Sequence, residues 1–199
     1  MKDHPLAAAG YDFFMAPLEF LGIGRWRGLL WKRVREEARV LDAGAGTGLN
    51  ISYYRKDHRV VALDTNPFFL ERARRRARDR SGQVEFVLGS VQDIPYADAT
   101  FDSVVTTFLF CQVENPGRGM GELKRVLKPG GQLLMLEHVR SNGGWGRLMD
   151  VLAGPLYRMF GDHIARDTDL YASSAGFTNL TSQSLLFNVV KIIEAEKEA

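Results

Sequence analysis

Apolar and polar positions along this chain fall into short blocks whose period alternates between that of a strand and that of a helix. Residues 38–41, 59–63, 83–88, 101–106 and 132–137 are compact runs dominated by Val, Leu, Ala and Phe. Apolar runs of this length predict strands buried on both faces, as in a parallel sheet. Between them the spacing turns helical over residues 48–56, 67 to about 80, and 116 to about 127. Pro67 stands early in its helix, where a missing N–H does no harm. Pro129-Gly130-Gly131 predicts a sharp turn. Strands alternating with helices predict an α/β fold with helices on both faces of the sheet.

The two ends read differently. Pro5, Pro17 and several glycines predict an irregular course for residues 1–24. Tyr11, Phe13, Phe14, Met15, Leu18, Phe20 and Leu21 predict that this segment lies on the domain. Residues 25–37 read as a helix with Trp26, Leu29, Leu30 and Val34 on one face, and Arg25, Arg27, Lys32 and Arg35 over much of the rest. Residues 145–160 form an apolar, helix-like stretch bent at Gly154-Pro155. Asp167 or Thr168 can cap a short helix that stops near Gly176, and residues 177–181 and 185–193 read as a strand pair across a short polar turn.

A length of 199 residues, 45% hydrophobic and 25% charged, predicts one soluble globular domain. The net charge of +2 gives no field that favours nucleic acid. The arginine run 72–78 lacks interleaved aromatics and reads as a solvated helix face. The single cysteine, Cys111, suits a reducing cytoplasm. No stretch reads as a membrane span or signal peptide, and no His, Cys, Asp and Glu spacing reads as a metal site. Trp26, Trp31 and the arginines between them either cover the sheet or present a basic amphipathic surface to anionic lipid, a peripheral membrane contact.

The chemistry concentrates in Val40-Leu41-Asp42-Ala43-Gly44-Ala45-Gly46-Thr47-Gly48, an apolar strand running into a glycine-rich turn. Glycines at alternate positions let a ligand approach the backbone, and a helix start would add unpaired N–H groups. Such a loop, at the carboxyl end of a strand, is where an open α/β sheet binds a nucleotide-like ligand. Asp64 closes the second strand, where a carboxylate can accept hydrogen bonds from a ribose. Leu49 stands where a dinucleotide loop would carry its third glycine. Loop and acid together leave NAD and S-adenosylmethionine (SAM) open.

Residues 40–48 resemble the first motif of class I SAM-dependent methyltransferases, and Asp64 resembles their ribose-binding acid. Residues 89–96 resemble their adenine-side loop, 101–105 their fourth strand, and 122–131 the helix and turn before strand five. The matches run in family order over residues 38–139. Within the family the chain is similar to the small methyltransferases of quinone and phospholipid synthesis. Residues 110–113, 137–139 and 161–162 resemble the membrane-associated alkyl-thiol methyltransferases. Many relatives carry an acid where Ser90 stands.

This resemblance implies a Rossmann-like, doubly wound, mostly parallel seven-stranded sheet with an antiparallel C-terminal strand. It implies a lid and helix over residues 1–37 on a SAM-binding domain of residues 38–199. Asp42, Ala43, Gly44, Ala45, Gly46 and Gly48 would hold the amino-acid end of SAM. Asp64 would take the ribose, and Thr65, Asn66, Ser90, Val91 and Gln92 would surround the adenosine. Thr107 and Phe108 would close the methionine side.

Tyr11, Phe14, Phe110, His138, Trp145, Met149 and His163 are candidates to line the acceptor pocket. Of these His138 is the candidate general base, and Tyr11 a second catalytic or lid residue. The implied reaction moves a methyl group to a small or lipid-like acceptor (a phospholipid amine, a quinol or a thiol) and leaves S-adenosylhomocysteine (SAH). An NAD-dependent oxidoreductase and a non-catalytic SAM-binding module are the alternatives.

Overall fold

The computed structural model describes residues 5–78, 84–138, 168–186 and 189–199. Its strands are β1 Arg39–Ala43, β2 Arg59–Asp64, β3 Val84–Leu88, β4 Phe101–Thr107, β5 Leu127–His138, β6 Thr178–Leu186 and β7 Val190–Glu196. They form one sheet in the order β3-β2-β1-β4-β5-β7-β6. β1 to β5 are parallel, and β7 runs antiparallel to both β5 and β6. The order reverses between β1 and β4, which opens a crevice at their carboxyl ends.

The helices are α1 Pro5–Leu18, α2 Gly24–Trp31, α3 Pro67–Arg76, α4 Pro116–Val126 and α5 Thr168–Ser174. Alternate side chains of the strands feed two cores. Leu41, Val61, Val104, Leu133 and Met135 meet Met120 and Leu123 of α4 and Ala172 of α5 on one face. Val40, Val60, Val105, Leu134 and Ile192 meet Leu30 and Trp31 of α2 on the other. Helix starts follow local chemistry. Asn66 accepts from the Phe68 and Phe69 amides ahead of α3, and Asn115 accepts from the Arg118 amide ahead of α4.

Several expectations need correction. Residues 5–18 are helical rather than irregular, because Pro5 occupies the first position and Pro17 comes only at the end. The chain then widens into a π turn, Glu19–Ile23, and breaks at Gly22, whose φ is 151°. Helix α2 stops at Trp31, short of residue 37. The helix expected over residues 48–56 is a short 3-10 segment, Leu49–Tyr53. The expected turn at Pro129-Gly130-Gly131 is a bulge inside β5: Phe101 faces Leu127, and Ser103 faces Gln132. Residues 182–184 continue β6 instead of turning, because an edge strand exposed to solvent tolerates polar side chains.

Of the two readings of the Trp26 and Trp31 surface, the packing of Trp31 fits the one that covers the sheet. Trp31 is 1% and Arg27 4% exposed, so neither can meet lipid. The large apolar side chains that reach solvent here are Phe13, Leu18, Phe20 and Leu21. Among the described residues no helix is long and apolar enough to cross a membrane. The stretch 145–160, with Trp145 and Met149, and also His163, lies outside the described residues, as does the side chain of Phe14.

Candidate cofactor site

The glycine loop leaves β1 at the crevice. Gly44, Gly46 and Gly48 have φ of 74°, 57° and 85°, the left-handed region that L side chains avoid. The loop's amides are nearly all satisfied internally. Gly44 N and Ala45 N donate to Leu63 O at 2.8 and 2.9 Å, Gly46 N to Asp64 Oδ2 at 2.8 Å, and Gly48 N to Ala45 O at 3.0 Å. The amides of Gly44, Ala45, Gly46 and Gly48 are therefore already engaged within the protein.

The glycines have different jobs. A Cβ at Gly46 would meet nothing within 4 Å, whereas one at Gly48 would lie 2.9 Å from Ala73 Cα and 2.6 Å from Ile51 Cδ1. Gly48→Ala should lose about 3 kcal/mol from strain and overpacking. That is a fall of about 9 °C in Tm. Gly46→Ala should lose only about 1 kcal/mol but weaken SAH binding about 10-fold, because its methyl would fill the ligand's space. Wild-type SAH affinity in Gly46→Ala would contradict close approach of a ligand.

Asp64 holds the loop from β2. Its carboxylate accepts from Gly46 N and Asn66 N, both at 2.8 Å. Burial raises its pKa against the pull of these backbone bonds. A carboxylate has about four acceptor positions, so capacity remains for a diol. Thr65 is exposed beside it.

Behind the loop lies a buried polar ladder. Asn50 Nδ2 donates to both oxygens of Asp42, at 3.0 and 3.1 Å, and Tyr54 donates to Asp42 Oδ2 at 2.5 Å. Asn50 also donates to Thr107 Oγ1 at 3.2 Å and accepts from Arg27 Nη1 at 2.9 Å. Arg27 in turn donates to Glu19 at 2.9 Å. Burial pushes the Asp42 carboxyl up to about 6, opposed by the Tyr54 and Asn50 bonds and the Arg27 charge. Sequence reasoning missed Arg27, Asn50 and Tyr54. One signal was present: Arg27 shares the i+3, i+4, i+7 face of Leu30, Trp31 and Val34, all buried.

The crest after β4 carries strain. Phe108 has a φ of 52°, unfavourable for a bulky residue. Its ring stacks on His138 with centroids 4.4 Å apart, and the Arg27 guanidinium lies 5.7 Å from the ring centre. Beneath it Glu137, 1% exposed, accepts from Thr106 Oγ1 at 2.8 Å, Leu109 N at 3.2 Å and Phe110 N at 3.3 Å. Burial pushes Glu137 up to about 7 and His138 down to about 4. Glu137 is a further residue that sequence reasoning passed over.

The remaining candidates frame the crevice. Ser90 Oγ accepts from Gln92 N at 3.1 Å, and Gln92 Oε1 accepts from Asn115 N at 2.8 Å, while Val91 is buried. The Tyr11 ring lies tilted against Phe69 with centroids 5.5 Å apart, and burial pushes its phenol up to about 12. Ala43 and Phe110 are 0% exposed and belong to the core with Met120 and Leu123, so Phe110 does not line an open acceptor pocket as expected. Cys111 is buried and donates to Phe108 O at 3.2 Å. Among the described residues no His, Cys, Asp and Glu group could hold a metal.

Comparison with known proteins yields similar methyltransferases. Residues 41–135 match the family described as Methyltransferase domain. The chain is 34% identical over 147 residues to human thiol S-methyltransferase TMT1B, covering 71% of this chain and 60% of that protein. It is 33% identical over 178 residues to the ubiquinone/menaquinone biosynthesis C-methyltransferase UbiE of Idiomarina loihiensis, covering 82% and 69%. A SAM-dependent methyltransferase from Thermotoga maritima shares the fold, with a TM-score of 0.75 and 18% identity over 98% of this chain and 97% of that one.

Proposed function

The chain belongs to the class I SAM-dependent methyltransferases, and from that premise we propose that it transfers the methyl group of SAM to a small or amphipathic acceptor, namely a thiol, a quinol or a phospholipid amine. The observation that carries the reading is the satisfied glycine loop beside a pair of opposite charges. A dinucleotide site aims free loop and helix amides at a pyrophosphate. Here the amides of the three loop glycines and Ala45 are bonded within the protein. Asp42 and Arg27, bridged by Asn50, instead suit a zwitterionic amino-acid group. In this reading Asp42 faces the ammonium, Arg27 the carboxylate, and Asp64 the ribose hydroxyls. Ser90, Val91, Gln92, Thr65 and Asn66 border the adenosine.

SAM supplies an electrophilic methyl group on a sulfonium, and transfer leaves SAH. The protein's part is alignment and exclusion of water. In this reading the lid expected over residues 1–37 narrows to helix α1, because Leu30 and Trp31 of α2 are built into the core. Tyr11 keeps its proton at neutral pH and acts as a hydrogen-bond donor. Burial holds His138 neutral and disfavours its imidazolium, so its ring is suited to accept a hydrogen bond from the attacking group and is only a weak proton acceptor.

His138→Ala should lower turnover about 100-fold while changing SAH affinity far less. His138→Phe, which keeps a ring against Phe108, should be equally slow. Full activity in the Phe variant would reduce the role of His138 to stacking. Transfer of labelled methyl from SAM across thiol, quinol, amine and hydroxyl acceptors tests the function itself. Label entering one of the first three supports it; SAH-competent protein that labels none of them is a binding module. Stabilisation by NAD but not by SAM or SAH in a thermal shift would favour the oxidoreductase.

A further inference from the structure

Helix α1 is held to the domain in an unusual way. Asp12 is the one buried side chain among those described on it, at 9% exposure. Phe13 is 78% exposed, and Phe20 and Leu21, just beyond the helix, are 92% and 78% exposed. Among the described side chains of this segment, Tyr11 against Phe69 is the main apolar contact, and Phe13, Leu18, Phe20 and Leu21 face solvent. The Asp12 carboxylate accepts from Thr47 Oγ1 at 2.6 Å, from Arg76 Nη2 at 2.7 Å, and from Arg72 Nε. Arg76 Nη1 donates to Thr47 O at 2.6 Å and to Thr47 Oγ1 at 2.8 Å. Thr47 sits between the two left-handed glycines Gly46 and Gly48. Two members of the arginine run 72–78 thus join helix α1, helix α3 and the cofactor loop in one cycle of bonds.

We propose that Asp12 is a latch that couples docking of helix α1 to order in the cofactor loop. If the loop moves, Thr47 leaves Asp12; if α1 lifts, Thr47, Arg72 and Arg76 lose their shared acceptor. Gly22, at φ 151°, is the break about which α1 can swing relative to α2. Tyr11, the neighbour of Asp12, packs tilted against Phe69 of α3 and is carried with the latch. Tyr11 is therefore positioned through Asp12. A segment whose described anchors are one charged cluster and one aromatic contact opens at low cost, which suits a lid that admits cofactor and acceptor. The coupling is reciprocal: a ligand that orders the loop favours docked α1, and docked α1 favours the ligand.

This inference rests on the SAM reading, and hydrogen exchange on the full chain with SAH as probe separates the two. In wild type, saturating SAH should slow exchange of the α1 amides about 10-fold. In Asp12→Asn and in Arg76→Gln, α1 should exchange fast with or without SAH, and the Kd for SAH should rise by a similar factor. A double variant no worse than either single one supports a shared contact. Wild-type Kd and wild-type protection of α1 in Asp12→Asn would overturn the latch. Faster exchange in that variant with SAH protection intact would leave Asp12 a structural anchor and overturn the coupling. If wild type binds no SAH, the cofactor reading and the coupling both fall. The latch contact then stands only on faster α1 exchange in free Asp12→Asn than in free wild type.

Discussion

Asp64→Ala is expected to weaken SAH binding by about 100-fold or more, measured by titration calorimetry at neutral pH. Two effects add. A carboxylate receiving two ribose hydroxyls makes charge-assisted bonds of about 1.5–3 kcal/mol each. The same carboxylate fixes Gly46 N and Asn66 N, so its loss also releases the cofactor loop and the start of α3. Asp64→Asn is the sharper variant. An amide keeps one oxygen acceptor and turns the other position into a donor facing a backbone N–H. It should lose most of the affinity while remaining folded by circular dichroism. A folded Asp64→Asn with wild-type SAH affinity would remove the ribose from this strand.

Glu137→Ala is expected to destabilise the chain by about 4 kcal/mol, read from urea unfolding. It leaves the Thr106 hydroxyl and the Leu109 and Phe110 amides without their buried acceptor, at about 1–3 kcal/mol for each unsatisfied group. Glu137→Gln gives a cleaner reading through pH. Burial raises the folded pKa to about 7 from an ordinary value of 4.5. Between those values Glu137 binds more protons in the folded state than in the unfolded one, so its contribution to stability falls as pH rises, while buried His138, lowered to about 4, contributes in the opposite sense in both proteins. The change for this group is about 3 kcal/mol, with the stabler side below pH 4.5.

The Gln variant should lack that slope between pH 5 and 7.5. Asp42, raised to about 6, leaves a residual slope of the same sign at lower pH in both proteins. Asp57, lowered chiefly by its bond to Arg55, and Glu122, lowered chiefly by its bond to Arg125, act in the opposite sense on the acid side. Identical slopes in wild type and Glu137→Gln would show that Glu137 is an ordinary carboxylate.

The inner strands were legible because burial on both faces leaves an unbroken apolar signature, as in Val40-Leu41 and Leu133-Leu134-Met135-Leu136. The loop and Asp64 were legible for a similar reason, since only glycines and a terminal acid suit that turn. What stayed hidden is governed by contacts distant in sequence. Arg27 looks like a solvent-facing residue until Glu19 and Asn50 are placed beside it. Glu137 looks like a strand-end charge until the amides after β4 converge on it. β6 lacks an apolar alternation because its residues are exposed at the sheet edge and are held by the ladder to β7. The 3-10 segment after the loop follows from Gly48 closing against Ala73, a contact with α3 that no local pattern encodes.

The most direct test of the account is a crystal structure of the full chain with SAH. The account predicts the ribose diol on Asp64, the amino-acid end between Asp42 and Arg27, and the sulfur facing the Phe108 and His138 rings. SAH seated away from the crevice between β1 and β4, or density there for a different nucleotide, would contradict it.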